Sequence, residues 1–312
     1  MTTSAISATG LRKSFGDKVV LDGLDLDVPT GTVFSLLGAN GAGKTTTVKI
    51  LSTLISADGG GARVAGYDVT TEADAVRAAI GVTGQFSAVD SLLTGAENLR
   101  LMADLHHLGR ADGRRRVTDL LDRFDLADAA AKPASTYSGG MRRRLDLAMT
   151  LIGDPRVIFL DEPTTGLDPR SRRGMWAIVR ELVADGVTIF LTTQYLEEAD
   201  ELADRIAVLD HGRLVAEGTA AELKRRIPGG HVLLRFADQA ALDHAARELG
   251  EVSRDADALA LRVPSDGGVG ALRDLLNRLD DRAITVSELS VHTPDLDDVF
   301  LALTGNEKVT TP

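Results

Sequence analysis

The sequence of 312 residues contains no cysteine. That removes disulfide frameworks, thiolate metal sites and cysteine nucleophiles together, and it fits a reducing compartment. Long apolar runs are missing as well: none approaches the roughly 18 residues that a membrane-spanning helix needs. The opening MTTSAISATG has neither a basic start nor an apolar core, so it does not read as a signal peptide. Positive charge is in deficit, with 35 Lys plus Arg against 46 Asp plus Glu, a net charge of −11. Non-specific nucleic-acid binding relies on basic residues that neutralise phosphates, so nucleic acid is not an expected partner. Any anionic ligand has to be held by local groups rather than by the overall field. Low-complexity tracts and internal repeats are absent too.

What is present points to a packed α/β protein. Hydrophobic residues make up 44% of the chain, enough for a sizeable core. LDLDV (24–28) alternates apolar and acidic residues, as a strand with one wet face does. With LRKSF before it, it suggests an antiparallel sheet that opens the protein. VFSLLG (33–38), VIFLDE (157–162), VTIFLTT (187–193) and RIAVLD (205–210) are short, nearly unbroken apolar runs. Such runs suit parallel strands buried on both faces, with helical patterns between them. The segment from about 72 to 150 shows no good strand, and its apolar residues recur at helical spacing, so it reads as a helical insertion. Pro228-Gly229-Gly230 then breaks the chain. Beyond it, apolar strand-like and helical segments alternate, from HVLLRF to DLDDVFLAL, in a unit of about eighty residues. The expected division is therefore 1–226 and 228–312.

Gly38-Ala-Asn40-Gly41-Ala-Gly43-Lys44-Thr45 matches G-x-x-x-x-G-K-[ST], between an expected strand and the expected helix TTVKILSTLI, which begins with Thr46 directly after Thr45. Glycines let the backbone curl so that N–H groups face phosphate oxygens, and the helix N-terminus adds partial positive charge. Lys44 is expected to reach the β/γ-phosphates and Thr45 to offer its hydroxyl to Mg²⁺. The bland alternative is a glycine-rich turn. Asp161-Glu162 ends a second buried strand. There Asp161 would hold Mg²⁺, through water, and Glu162 would act as general base toward the attacking water. An Asp-Glu pair after a strand is otherwise a common helix cap.

Ser138-Gly139-Gly140-Met141 lies upstream of Asp161-Glu-Pro-Thr-Thr-Gly-Leu-Asp168. Together with the phosphate loop, this resembles the ATP-binding cassette of ABC transporters. Residues 1 to about 226 follow the cassette pattern, and Tyr137-Ser-Gly-Gly-Met corresponds to the signature usually written LSGGQ, changed at both ends. The resemblance implies a P-loop NTPase core with an N-terminal antiparallel β subdomain and a helical insertion, followed here by a small α/β domain. It implies that ATP and Mg²⁺ bind. Two copies would pair head to tail, so that Ser138, Gly139 and Gly140 act in trans on the γ-phosphate. Asp168 matches the loop that lines the dimer seam. Gln85 matches the loop that senses Mg²⁺ and contacts the membrane subunit. Phe15 matches the aromatic that stacks on adenine. Each has a plainer reading. Serine at 138 and aspartate at 168 are ordinary helix caps, Gln85 a solvated loop residue, and Phe15 a core residue.

By position Gln194 takes the place of the family's switch histidine. The histidines, at 106, 107, 211, 231, 244 and 292, do not lie at this strand end. Glutamine can donate N–H to a phosphate oxygen and accept from water, but it cannot titrate. It is either an orienter beside Glu162 or the mark of a weakened, binding-competent site. Arg114-Arg115-Arg116, Arg142-Arg143-Arg144, Lys224-Arg225-Arg226 and the acidic EEADELAD read as solvated faces.

Length excludes the fused double cassettes of translation factors, and the lack of cysteine excludes the repair members with zinc-binding cysteines. QFSAVDSLLTGAENL, TTQYLEEADELADRIAVLDHGR and LDDVFLALTG resemble the subfamily whose members export daunorubicin-type drugs. That resemblance implies the ATPase subunit of an exporter at the cytoplasmic face of the membrane, working with a separately encoded permease. Alternatives are export of a cell-envelope lipid or polysaccharide, or a nucleotide-dependent binding module with little turnover.

Overall fold

The computed structural model describes residues 4–85, 87–226, 230–250, 252–265, 268–292 and 294–304. The chain divides into two compact units, Met1–Ala220 and Ala221–Pro312. Of the expected chain break, Pro228 and Gly229 lie outside the described residues.

The first unit begins with β1 (Ser4–Phe15) and β2 (Lys18–Pro29), paired antiparallel. Along β2, Leu24, Leu26 and Val28 are buried while Asp25 and Asp27 are exposed, the alternation that the sequence suggests. β3 (Val33–Leu37) enters the core, α1 (Lys44–Leu51) follows, and β4 (Gly59–Val64) with β5 (Tyr67–Asp68) completes a four-stranded sheet of order β2-β1-β4-β5. Next come α2 (Ala73–Ala79), β6 (Ile80–Thr83), α3 (Gly95–Leu105), α4 (Arg110–Arg123) and α5 (Gly139–Thr150). The order then alternates: β7 (Val157–Asp161), α6 (Pro169–Ala184), β8 (Thr188–Thr193), α7 (Leu196–Leu202), β9 (Arg205–Asp210), β10 (Arg213–Gly218). The central sheet runs β10-β9-β3-β8-β7-β6, parallel except for β10.

β3, β7 and β8 are buried at every residue, and alternate side chains serve two cores. Ile158, Leu160, Ile189 and Leu191 face a cluster with α3 to α6. Phe34, Phe159 and Phe190 face a cluster with α1 and the antiparallel sheet. The Phe34 and Phe190 rings stack with centroids 5.7 Å apart. Each such buried side chain contributes on the order of 1.5–3 kcal/mol of transfer free energy. This double burial holds the carboxyl ends of β3, β7 and β8 in fixed register, and the site lies there.

The segment expected to be free of strands contains one. β6 pairs with β7 through Ile80 to Thr83 at the sheet edge. Four residues that include a glycine carry too little β signal, and pairing decides the matter. Gly81 lets the backbone approach α5: a Cβ there would lie 3.1 Å from the Thr150 carbonyl oxygen.

α8 (Ala220–Arg225) crosses into the second unit. That unit contains β11 (His231–Arg235), α9 (Gln239–Leu249), β12 (Ser253–Asp255), β13 (Ala260–Pro264), α10 (Val269–Asp281), β14 (Glu288–His292) and α11 (Leu296–Thr304). Its sheet, β12-β13-β11-β14, is antiparallel, with Val232, Leu234, Leu242, Leu261 and Leu275 in its core. No helix among the described residues is long and apolar enough to cross a membrane.

Candidate nucleotide site

The loop from Gly38 to Gly43 joins the end of β3 to the start of α1. Its glycines are sterically required at two points. A Cβ on Gly38 would meet the Leu209 carbonyl oxygen at 2.5 Å. Gly43 has φ 115°, and a Cβ there would meet Leu21 Cδ2 at 2.7 Å and the Val20 carbonyl oxygen at 2.9 Å. The loop root is pinned sideways, since the Gly38 N–H donates to the Thr193 carbonyl at 3.3 Å.

Lys44 opens α1 and folds back over the loop. Its ammonium donates to the carbonyl oxygens of Gly38 (2.8 Å) and Ala39 (3.1 Å) and lies 3.5 Å from Glu162 Oε1. Burial pushes the Lys44 pKa down, and the Glu162 carboxylate works against that shift. A lysine so held is a concentrated positive charge with few waters, suited to a phosphate oxygen.

Asp161 and Glu162 leave β7 beside β8. Asp161 is buried, and its Oδ1 accepts a short hydrogen bond from the Thr192 hydroxyl. The Glu162 N–H donates to the Thr192 carbonyl (3.0 Å), and Glu162 itself has φ 51°. A non-glycine residue with left-handed backbone at such a point is stored strain that aims a side chain. Glu162 Oε2 accepts from the Thr165 hydroxyl at 3.3 Å.

A cavity of about 430 Å³ brings together Phe15, Asn40, Gly41, Gly43, Lys44, Thr45, Thr46, Gln85 and Glu162. The volume is that of a small-molecule site. Phe15 is 53% exposed, so it is not a core residue, and the Lys13 ammonium lies 5.5 Å from its ring centroid. Gln194 does not line this cavity. It follows β8, half-buried, directly after Thr193, whose carbonyl holds the loop root. Asp161 and Gly38 likewise lie behind the cavity wall rather than in it.

Ser138, Gly139 and Gly140 are elsewhere. Ser138 caps α5, its hydroxyl accepting from the Met141 N–H at 3.2 Å, and Ser138 and Gly139 are exposed. Ser138 and Gly140 line a second cavity of about 390 Å³ that shares no residue with the first. Asp168 caps α6. It accepts from the Ser171 N–H (3.0 Å) and hydroxyl (2.6 Å), and these bonds, the hydroxyl's first, hold its carboxyl below the ordinary range. Both caps are thus real, and both leave their helix ends on the surface.

Two expected solvated faces each turn one charged side chain inward, while Arg142, Glu197, Asp200 and Glu201 are exposed as expected. Arg143, read as part of a charged run, is 9% exposed and bonded on four sides. Glu198, read as part of an exposed acidic helix, is fully buried and accepts from Trp176 Nε1–H at 3.2 Å. Charge type alone suggested solvent; the positions on α5 and α7 turn these side chains inward. Sequence reasoning also passed over Thr192, whose only signal is a hydroxyl at the end of a fully buried strand.

The family model described as ABC transporter matches residues 21–165. A daunorubicin resistance ATP-binding protein of Streptomyces coeruleorubidus is 51% identical over 310 residues, covering 99% of this chain and 98% of that one. The chain is an ABC transporter ATP-binding subunit. A Nod factor export ATP-binding protein of Ralstonia nicotianae is 38% identical over 319 residues, covering 98% and 95%. Among solved structures, an ATP-binding subunit of an ABC transporter superposes with TM-score 0.64 at 28% identity, over 72% of this chain and 93% of that one. The residues matched to the family model lie within the first unit of this ABC subunit, Met1–Ala220.

Proposed function

We propose that this chain is the ATP-hydrolysing motor of a drug exporter and sits at the cytoplasmic face of the membrane on a separate permease. The observation that carries the motor reading is the single cavity where an aromatic, a phosphate loop, Lys44 and Glu162 converge. The drug class rests on likeness: 51% identity over nearly the whole chain to a daunorubicin resistance protein, against 38% to a Nod factor export protein.

The residues suit Mg²⁺. Thr45 and Asp161 offer hard oxygen donors, and among the described residues no group of three or more His, Cys, Asp or Glu forms a protein cage. Magnesium sites use few protein ligands, with waters and substrate phosphates completing the shell. The ion, when bound, neutralises charge on the β/γ oxygens.

Phe15 stacks on the adenine, and the N–H groups of Gly41 and Gly43 receive the phosphates. Lys44 leaves the Gly38 and Ala39 carbonyls to meet the β/γ oxygens, and Gln85 closes the rim. Glu162 accepts a proton from water as its oxygen attacks the γ-phosphorus and the bond to the β-bridging oxygen breaks. Gln194 donates N–H to the γ-phosphate and accepts from that water. Ser138, Gly139 and Gly140 of the partner subunit cover the γ-phosphate with a helix N-terminus, and Asp168 lines the seam between the copies.

The test uses cells that produce the chain with its membrane subunit, and inverted vesicles made from them. ATP-dependent uptake of doxorubicin by the vesicles, lost with Glu162→Gln, is the expected result. Equal uptake with and without a functional Glu162 overturns the motor reading. ATP hydrolysis with no doxorubicin uptake overturns the drug class alone.

A further inference from the structure

We propose that the buried pair Arg143 and Asp146 positions the Gln85 loop and the Glu162 strand end relative to the signature helix, as a strut on which hydrolysis depends. This rests on the nucleotide-hydrolysing reading above. The two residues lie one turn apart on α5, the helix that Ser138 begins. Their side chains are 10% and 3% exposed, and Arg143 Nη1 lies 3.2 Å from Asp146 Oδ2.

Their partners are what distinguish them. Arg143 Nη1 also donates to the Gly84 carbonyl at 2.9 Å, one residue before Gln85. Asp146 Oδ1 accepts from the Ala88 N–H at 3.0 Å, three residues after Gln85. The pair therefore clasps the Gln85 loop on both flanks. The same guanidinium donates through Nε to the Pro163 carbonyl (2.8 Å) and through Nη2 to the Asp161 carbonyl (3.4 Å). Those carbonyls lie on either side of Glu162. One side chain thus fixes the carboxyl ends of the neighbouring strands β6 and β7 and the loops that leave them.

Only arginine suits this task. Its planar fork offers five donors in set directions, whereas lysine offers a point charge. A buried ion pair gives little net stability compared with apolar residues of the same volume, so packing alone does not account for it. Burial raises the Asp146 carboxyl and lowers the Arg143 guanidinium, each opposed by its partner, and the Ala88 amide also favours the Asp146 carboxylate. Displacement of the N-terminal end of α5, the end expected to serve the partner subunit's nucleotide, would be passed to Gln85 and Glu162 of the same chain.

The experiment is a kinetic cycle on the full chain with MgATP. Variants are Gln85→Ala, Asp146→Asn, Asp146→Leu and Arg143→Lys, with Asp146→Asn and Arg143→Lys each also combined with Gln85→Ala. The expected result is a fall in kcat of roughly ten- to hundred-fold for Asp146→Asn and Arg143→Lys, with KM within about three-fold, because geometry rather than binding is lost. In the Gln85→Ala background the same changes should cost several-fold less than in the wild type, since the share that passes through Gln85 is already lost and only the share that passes through Glu162 remains. Asparagine keeps an acceptor for the Ala88 N–H, so Asp146→Leu should be slower still. Losses that multiply independently of Gln85, or kcat values like wild type, overturn the strut. If Asp146→Asn melts early, the cycle is read on Arg143→Lys, which keeps the charge pair and loses the fork. A wild type that does not hydrolyse ATP removes the proposed function itself. A wild type slowed by Gln85→Ala, with independent losses at 143 and 146, removes only this inference.

Discussion

Lys44 Nζ and Glu162 Oε1 lie 3.5 Å apart, with side chains 5% and 9% exposed. A nucleotide's terminal phosphate would compete for the same ammonium. In the proposed mechanism its arrival would free the carboxylate to take a water, so that binding and activation of the base would become one event. Glu162→Gln removes the proton acceptor and leaves the phosphate cradle. Hydrolysis should fall by roughly 10²–10⁴-fold, while the affinity for MgATP, by equilibrium titration, stays within a few-fold. Hydrolysis within two-fold of wild type would show that Glu162 is not the base.

Gln194 has a distinctive signature because it cannot titrate. Its strand end is tied to the phosphate-loop root through Thr193 and to the Glu162 backbone through Thr192. Gln194→Ala should lower kcat by about 10²-fold, the scale of one lost transition-state hydrogen bond. Gln194→His should restore much of it and add a pH dependence near the ordinary imidazole pKa of about 6.5. A kcat profile from pH 5.5 to 8.5, measured on both variants and wild type, checks this. An alanine variant as fast as wild type would leave Gln194 a loop residue.

The glycines separate strain from collision. Gly43→Ala places a methyl 2.7 Å from Leu21 Cδ2 at φ 115°, whereas Gly41→Ala has φ 84° and nothing within 4 Å. Both should lose about 1–3 kcal/mol of backbone stability, but only Gly43→Ala should also abolish nucleotide binding. Thermal melts with and without MgATP read the two effects separately. Equal nucleotide stabilisation of both variants would contradict it.

Glu198 predicts a pH effect of definite sign. Burial pushes its carboxyl above the ordinary range, against the hydrogen bond that Trp176 Nε1–H donates to it. A raised folded-state pKa means that its contribution is fully present below the unfolded value of about 4.3 and is lost as pH rises through the raised one. Glu198→Gln keeps an acceptor for Trp176 and never ionises. Its Tm relative to wild type should therefore climb between about pH 4 and 7. A constant difference across that range would refute the raised pKa.

The apolar runs that become β3, β7, β8 and β9 were readable because burial on both faces leaves an unbroken hydrophobic word. The phosphate loop was readable because its glycines answer to local sterics. β6 was not, since an edge strand of four residues owes its form to the neighbour it pairs with. Nor were the burials of Arg143 and Glu198, because charge type signals solvent while the carbonyls that Arg143 holds lie 18 to 59 residues away in sequence and Trp176 lies 22 residues from Glu198. Gln194 shows the limit in another way. Its position was legible, but the polar ties that fix its strand end run through backbone groups of Thr192 and Thr193, which residue identity does not encode.

Ser138 and Gly140 line a cavity apart from the one that holds Lys44 and Glu162, and in the proposed function a full site needs two copies of the chain. The most direct test is the specific Mg²⁺-ATPase activity of the purified chain as its concentration is varied. Activity per molecule should rise with concentration, and both Glu162→Gln and Ser138→Arg should lose it. Activity per molecule that stays constant while the chain remains monomeric by light scattering would contradict the need for two copies.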